Sequence, residues 1–295
     1  MSLDPLDASR RSGSPTRGPA MAVLGAAALW AIIGVFTTEL GRRGHRAPSV
    51  AFWRALGGGV CFVAHAVATR RPFRVERARR PALAAFTVIG VSVFYLALPA
   101  AVQAGGITLA YVLLYTAPMW VAVGVVALGH GRADASMVIV TVVSVAGVIA
   151  VVMGSGSGIE VTPAALAWGT VAGGSYACYY LVGRPLFDAV DPIVVYAIAL
   201  PVGSLPLGIA SGFAVPHLAD LPYVVGLCVV STWAPYLLLS IGLRGIAPHR
   251  AVIIATAEPV IAAAFARVFY GEQLGPVGLA GGALVLLAGL WASLR

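Results

Sequence analysis

Charged side chains are scarce in this sequence. Only 10% of its 295 residues are charged, whereas soluble proteins carry about a quarter. Lysine is absent, so all 19 basic residues are arginine. Because 60% of the residues are hydrophobic as well, the composition excludes an ordinary soluble domain and indicates an integral membrane protein.

Cysteine and histidine are too few and too scattered to form the common enzyme centres. The cysteines Cys61, Cys178 and Cys228 lie in different apolar runs with no metal-ligand spacing, so we interpret them as small packing residues. The five histidines form no HExxH motif. The stretch GSGSG at residues 154–158 lacks the Lys-Ser/Thr that follows in a phosphate loop, and a linker explains it better. We therefore expect no metal, no other cofactor and no enzymatic activity.

The apolar residues are gathered into ten long runs, and a helix that crosses a bilayer needs about 20 such residues. The runs are residues 19–40, 48–69, 81–103, 106–129, 135–154, 163–183, 192–211, 222–243, 251–270 and 274–294. The linkers between them are too short for a separate soluble domain. We predict an all-α integral membrane protein with ten transmembrane helices.

Arginine is distributed unevenly over the two sides that ten spans would create. Fourteen arginines lie on the side of the two termini, including those of RRPFRVERARR at residues 70–80, whereas the linkers of the other side hold Arg42, Arg43 and Arg46. Cytoplasmic loops collect arginine, so both termini are predicted to face the cytoplasm. The net charge of +8 is explained by this topology, and we expect no nucleic-acid partner.

The N-terminal segment differs from the rest of the chain. Residues 1–18 are polar, basic and rich in Gly, Ser and Pro, which predicts a disordered cytoplasmic tail. The apolar run that follows contains AAALWA, a stretch of small residues of the kind at which signal peptides are cleaved. It continues without a break through IIGVF. This continuity favours a retained first helix over a cleaved signal peptide.

The sequence repeats itself in two halves. The stretch FYLALPAAVQAGGITLAYVLLYTAPMW aligns with PYLLLSIGLRGIAPHRAVIIATAEPVI, where Tyr95 meets Tyr236 and Pro118 meets Pro259 at one offset of 141 residues. We predict a first five-helix repeat at residues 19–154, a linker at 155–162 and a second repeat at 163–295. Because five is odd, the second repeat must enter the membrane from the opposite side. Inverted-topology repeats around a central cavity are typical of secondary transporters.

The ending EPVIAAAFARVFYGEQLGPVGLAGGALVLLAGL resembles the proline, Gly-Glu and glycine-rich ending of each half in the EamA type of the drug/metabolite transporter superfamily. The five-plus-five arrangement and APSVAFWRA, which contains Arg54, resemble that family too. The first half departs from the pattern, since His130 and Gly131 stand where the second half has Gly271 and Glu272. The resemblance implies a ten-helix carrier of the bacterial inner membrane that exports amino acids or other small metabolites.

The amino acid exporter branch of that superfamily, which includes exporters of aromatic amino acids, is the most specific resemblance. It implies a cavity lined by aromatic side chains of the third, fourth and sixth helices, to which Phe94, Tyr95, Tyr115, Tyr176 and Tyr179 correspond. Drugs, nucleosides and other metabolites are the alternative substrates. An intramembrane enzyme and a non-transporting scaffold or receptor are the competing classes of function.

Aromatic side chains near the middles of the runs are candidates for the substrate site on physical grounds as well. A phenol or indole in the membrane needs a partner, because lipid supplies none. Two pairs of these residues stand three positions apart and so share a helix face, which either lines a cavity or serves helix packing. The predicted substrate-binding residues are Trp30, Phe94, Tyr95, Tyr115, Tyr176, Tyr179, Trp233 and Tyr236.

Glu258 is the carboxylate that we place well inside a span. It lies ~10 Å from the cytoplasmic start of its helix at 1.5 Å per residue, where an unpaired charge is costly. It either binds a proton that couples export to the proton gradient, contacts a substrate amino group, or is a structural charge. The structural alternative places it in a water-filled mouth of the cavity or pairs it with Arg54, Arg244 or Arg250.

Two prolines are candidates for gating. Pro118 and Pro259 occupy equivalent positions of the two halves and are predicted to kink their helices as matched hinges for alternating access. The glycine-rich GLAGG of the tenth run suits tight packing within the chain or at a dimer contact, so we expect a monomer or a weak dimer. The remaining expected partners are membrane lipid, a small-molecule substrate and, under the coupling hypothesis, protons.

Overall fold

Helices make up most of the part of the chain that the computed structural model describes, which is residues 17–127, 135–243, 254–255 and 257–293. Within these ranges no β-strand occurs. The α-helices are α1 (Arg17–Ala31), α2 (Ile33–Arg42), α3 (Ala47–Ala68), α4 (Arg80–Ala85), α5 (Phe94–Gly105), α6 (Ile107–Leu114), α7 (Ala117–Ala127), α8 (Ala135–Met153), α9 (Pro163–Cys178), α10 (Arg184–Ala189), α11 (Pro192–Ser211), α12 (Leu221–Val225), α13 (Ala234–Leu243), α14 (Ala257–Tyr270) and α15 (Pro276–Ser293).

Short helical segments of other pitch extend several of these helices. A π-helix, Phe86–Val93, joins α4 to α5, and another, Gly226–Trp233, joins α12 to α13. A third π-helix, Tyr179–Gly183, lies between α9 and α10. The 3₁₀-turns Arg77–Arg79 and Leu218–Asp220 precede α4 and α12. The helical runs in which they lie are therefore longer than the α-helices alone.

Length and apolar composition identify several membrane spans. Among the described residues, five helical runs are long and apolar enough to cross a bilayer, and three further apolar helices, Ile107–Val121, Val138–Met153 and Pro276–Ala288, are shorter. The chain is therefore a helical, multi-pass membrane protein. The five longer runs are Gly18–Arg42, Ala47–Ala68, Arg77–Gly105, Pro192–Ser211 and Leu218–Leu239.

Proline and polar caps set several helix boundaries. Helices α3, α4, α11 and α12 carry proline in their first two positions, where its missing N–H costs no hydrogen bond. Helix α11 has a side-chain cap in addition, because Asp191 accepts a hydrogen bond of 2.9 Å from the Ile193 backbone N–H. It ends at Gly212, whose φ of 64° is readily adopted by glycine.

Close helix packing joins the first and second halves of the chain. Helix α3 lies along α11 and α8 lies along α15, while α5 packs against α9 and α1 against α13. Glycine permits the closest of these approaches. A Cβ atom on Gly59 of α3 would lie only 2.7 Å from the Pro201 ring of α11, so a larger residue there would push the two helices apart.

The helices that contain Pro118 and Pro259 begin just before these residues. Helix α6 ends at Leu114, and α7 begins at Ala117 after a turn of two residues. Helix α14 begins at Ala257, two residues ahead of Pro259. Pro118 therefore lies in the first turn of α7, where its missing N–H breaks no helical hydrogen bond, and Pro259 lies in the first turn of α14. Hinge motion at these two prolines stays a prediction.

Glu272 connects the second half of the chain to a helix of the first half. Its carboxylate is buried and accepts hydrogen bonds from the backbone N–H groups of Ile107 (2.7 Å) and Thr108 (2.8 Å). These groups open helix α6 and have no partner within the helix. A Cβ atom on Gly106, whose φ is 90°, would lie 2.8 Å from the carboxylate. The negative charge at this helix N-terminus is also electrostatically favourable.

Replacement of Glu272 tests the importance of this cap. We expect Glu272→Ala to lower the free energy of unfolding by about 1–3 kcal/mol, because two buried N–H groups lose their acceptor. Thermal unfolding of the purified protein in detergent measures the loss. The exposed Glu160 in a neighbouring loop provides the control, and Glu160→Ala should leave the transition temperature unchanged. Equal transition temperatures for the two variants would contradict the assigned role.

Candidate functional site

A cavity of about 280 Å³ lies among helices of both halves. Helices α1, α2, α3, α5 and α6 contribute its lining from the first half, and α9, α10, α11, α13 and α14 contribute from the second. The lining is largely aromatic and aliphatic, and it contains two charged residues, Arg54 and Glu258. Its aromatic members are Trp30, Phe62, Phe94, Tyr176, Phe187, Tyr196 and Tyr236.

The aromatic side chains of this cavity are packed against one another. Phe94 and Tyr176 stack with ring centroids 5.5 Å apart, and Trp30 meets the ring of Tyr236 edge-on at 5.3 Å. The ring centroids of Tyr196 on α11 and Tyr236 on α13 lie 4.3 Å apart. Contacts of this kind fix ring orientation, so the cavity has a defined shape. Aromatic faces also carry negative potential that attracts cations.

Glu258 is buried in the first turn of α14 and lines the cavity. The hydroxyl group of Tyr115 lies 2.8 Å from its Oε2 atom and donates a hydrogen bond, while the Ala255 carbonyl is a more distant acceptor at 3.3 Å. Tyr115 itself lies in the turn between α6 and α7. The turn between α6 and α7 in the first half thus holds the Glu258 carboxylate of the second half. The arginines Arg244 and Arg250 lie outside the described residues.

Arg54 is the cationic group of the cavity and is only 1% exposed. Its Nε–H donates a hydrogen bond of 3.2 Å to the Thr232 hydroxyl, and its guanidinium carbon lies 4.2 Å from the ring centroid of Tyr95. No carboxylate of the described residues lies within ion-pair distance of it. A guanidinium is always protonated, so a full positive charge is buried beside the cavity.

The structure brings half of the predicted substrate-binding residues to the cavity wall. Trp30, Phe94, Tyr176 and Tyr236 line it, together with Glu258 from the predicted gating set. These five positions come from five separate helical runs. A substrate contact at any of them stays a prediction.

The other predicted residues lie elsewhere. Tyr95 is fully buried beneath Arg54, and Trp233 packs against His65 with ring centroids 5.9 Å apart. Tyr115 and Pro259 line a second cavity of about 420 Å³ beside α14 and α15. Tyr115 reaches from there to Glu258 in the first cavity. The side chains of Tyr179 and Pro118 lie outside the described part.

Three residues with evident roles in the structure were absent from the predicted site. Tyr196 lines the cavity but lies near the start of α11, so it is not among the aromatic residues near the middles of the apolar runs. Arg54 carries a signal, since it is an arginine within an apolar run, but its partners are far away in sequence. Glu272 belongs to the Gly-Glu pair of the family ending, and its contact with α6 is not evident from that pair.

The sequence model of the EamA-like transporter family matches this chain twice, over residues 18–153 and again over residues 163–294. A crystal structure of a protein shares the fold, with a TM-score of 0.64 over 94% of this chain and 97% of that chain. The two sequences are 15% identical. The structural likeness therefore concerns the fold alone.

Curated relatives are similar over parts of their length. An uncharacterized transporter of Archaeoglobus fulgidus is 28% identical over 68% of this chain and 73% of the relative. The threonine/homoserine exporter RhtA of Escherichia coli is 28% identical over 47% of each chain. The RhtA of Salmonella typhimurium is 32% identical over 40% of each chain. The similarity to RhtA thus spans less than half of either protein.

A double-mutant cycle measures the coupling between Tyr115 and Glu258. We expect Tyr115→Phe and Glu258→Ala to be non-additive by about 0.5–1.5 kcal/mol in the free energy of unfolding, because both remove the same hydrogen bond. The matched control pairs Glu258→Ala with Tyr270→Phe, since Tyr270 lies at the far end of α14 and donates to the Val35 carbonyl. Additive effects in the first cycle would show that the contact does not hold the carboxylate.

Proposed function

The chain belongs to the EamA-like transporter family, and we propose that it is a secondary transporter that exports amino acids across the bacterial inner membrane by alternating access. The observation that carries the proposal is the cavity between the two halves, where aromatic side chains surround Glu258 and Arg54. The similarity to RhtA, a threonine/homoserine exporter, supports amino acids as the substrate class and export as the direction.

The chemistry of the cavity suits a solute with an ammonium group. Glu258 supplies a carboxylate, and the faces of Trp30, Tyr176 and Tyr236 are the kind of surface that attracts an organic cation. The apolar remainder of the wall accepts an aliphatic or aromatic side chain. The same features favour a cationic drug as the second candidate solute, and drugs, nucleosides and other metabolites are the alternatives to test.

Helix pairing supports the proposal of ten spans in two inverted repeats. The second predicted span packs on the seventh, as α3 on α11, and the fifth packs on the tenth, as α8 on α15. The first packs on the eighth, as α1 on α13, and the third packs on the sixth, as α5 on α9. If each span is replaced by its equivalent in the other half, the same four pairs of spans result. Such a relation is expected of a pseudo-two-fold axis in the membrane plane.

Loop contacts support the alternation of sides. Ten spans place residues 41–47, 104–106, 155–162, 212–221 and 271–273 on one side of the membrane, which the arginine pattern predicts to be the periplasm. Contacts join these loops, or residues beside them, to one another. They are Arg43 with Asp220, Gln103 with the His45 carbonyl, Glu272 with Ile107, Gln273 with the Ser157 carbonyl, and Trp53 with the Ala214 carbonyl.

The Asp220 cluster, formed by Arg43, His45, Asp220 and Tyr223, holds the two halves together on this side. Arg43 Nη1 lies 3.1 Å and His45 Nε2 2.8 Å from the carboxylate oxygens of Asp220, and Arg43 also donates to the Tyr223 hydroxyl at 3.0 Å. The cavity extends the other way, to Phe187 and other residues near the predicted cytoplasmic side. We propose that this geometry is the state closed towards the periplasm.

Counterflow in liposomes tests the proposed transport. Vesicles that contain the purified protein and one unlabelled solute are given a trace of the labelled form, with threonine, homoserine, phenylalanine, a nucleoside and a cationic drug tested in turn. We expect exchange of at least one amino acid. Exchange of the nucleoside or the drug alone would replace the substrate class, and no exchange of any solute would contradict transport.

Glu258→Gln tests the role of the carboxylate in the same assay. We expect exchange to fall by at least about tenfold, because the variant lacks the negative charge proposed to meet the ammonium group or to carry a proton. Glu160→Gln is the control and should exchange at the normal rate. A Glu258→Gln variant with the full rate and an unchanged dependence on pH would remove this residue from the mechanism.

Weakening of the Asp220 cluster should favour a state that is open towards the predicted periplasmic side. Spin labels on cysteines that replace the exposed Arg46 and Val215 report the distance between the halves on the predicted periplasmic side. With Asp220→Asn we expect a longer-distance population to grow, because Arg43 and His45 lose their shared anion. The exposed Asp188 on the opposite side supplies the control, Asp188→Asn. The same distance distribution in both variants would contradict a closing role.

A further inference from the structure

We infer that Arg54 binds the carboxylate group of the solute, so that the cavity between the two halves selects solutes that carry a carboxylate. This inference deepens the proposed function and rests on it for the identity of the site. The same cavity holds Glu258, which the proposed function assigns to the ammonium group. An α-amino acid presents both charges and would meet both residues.

Burial without a contacting counter-ion in the described part of the chain is the first observation behind the inference. Arg54 is 1% exposed, and its Nη1 atom has no hydrogen-bond partner among the described residues. A buried charge without a partner is costly, and natural proteins keep such groups where a ligand or a mechanism uses them. Arg54 lines the cavity, so a solute there is in a position to supply the missing acceptor.

The surroundings of the guanidinium fix its orientation. Its Nε–H is taken by the Thr232 hydroxyl, which in turn donates to the Leu227 carbonyl at 2.8 Å. One face of the guanidinium lies over the ring of Tyr95. Contacts at Nε and at one face leave the Nη edge for a further partner. A planar guanidinium held in this way is suited to a carboxylate, which it can bind through two parallel hydrogen bonds.

Local packing explains how Thr232 reaches Arg54. Thr232 belongs to the π-helix that precedes α13, and it faces Gly58 of α3. A Cβ atom on Gly58 would lie 2.7 Å from the Thr232 methyl carbon, so glycine allows the two helices to approach closely. The arginine on α3 and the threonine from the second half are therefore held together by backbone packing. The site is built before any solute enters.

The two charged residues of the cavity do not neutralise each other by direct contact. No ion pair joins Arg54 to Glu258 among the described residues, and Glu258 is bonded instead to the Tyr115 hydroxyl. Two opposite charges that share an otherwise apolar cavity create separate positions for an anionic and a cationic group. A zwitterion complements both, whereas an amine without a carboxylate leaves Arg54 unpaired.

Binding of amino acids and their amides tests the inference. Threonine, homoserine and phenylalanine are compared with their carboxamides, which keep the ammonium group but lack the negative charge. Calorimetric titration of the purified protein should show at least about tenfold tighter binding of the acid than of the amide in one or more pairs. Arg54→Gln should weaken the acid at least about tenfold and leave the amide within about twofold. Arg54→Lys should retain part of the preference.

Controls separate a binding role from a structural one. Arg267→Gln removes an exposed arginine of α14 and should keep the acid preference, and thermal unfolding of every variant reports on folding. A general structural role of Arg54 predicts equal losses for acid and amide, which would overturn the inference. Equal binding of acid and amide by the unmodified protein, or no binding of any of the three acids, would overturn it without any variant.

Flux measurements on the same solutes distinguish the two proposals. Selective binding of acids through Arg54 without exchange across liposomes would leave the carboxylate site intact and contradict the transport function. Exchange of acid and amide at equal rates, unaffected by Arg54→Gln, would leave transport intact and contradict the carboxylate site.

Discussion

The hydrocarbon core of a bilayer offers no hydrogen bonds, and the arrangement of polar groups in this protein follows from that constraint. Several buried hydroxyl groups donate to backbone carbonyls, as Ser92 does to Gly203 at 2.9 Å, between helices of the two halves. The buried carboxylate of Glu272 is satisfied by the first N–H groups of α6. Among the described residues, the buried Nη1 atom of Arg54 departs from this rule, and Arg54 lines the cavity.

Two charges in the cavity give the apolar scaffold a chemical function. Arg54 and Glu258 are each held by a hydroxyl group, from Thr232 and Tyr115, that lies in the other half of the chain. Relative motion of the halves would therefore disturb both charged residues at once. This arrangement links the proposed solute contacts to the proposed conformational change, without requiring a separate signal between them.

Much of the helical architecture was predictable from the sequence, because apolar runs and their punctuation by proline are local features. Helices occur in all ten predicted runs, although the count of spans stays a prediction. Depth in the membrane predicts Trp30, Tyr176 and Tyr236, and the family resemblance predicts Phe94. The structure brings all four to one cavity. Arg54 and Glu272 could not be interpreted in this way, since Thr232 and Ile107 are distant in sequence and only tertiary packing brings them near.

Accessibility of position 236 from both sides of the membrane tests the central claim most directly. A variant without the three native cysteines and with Tyr236→Cys can be treated with a membrane-impermeant thiol reagent in right-side-out and in inverted vesicles. Alternating access predicts labelling from each side, slowed by a transported amino acid. Labelling from one side only, or labelling that no amino acid slows, would contradict a cavity that opens in turn to both sides.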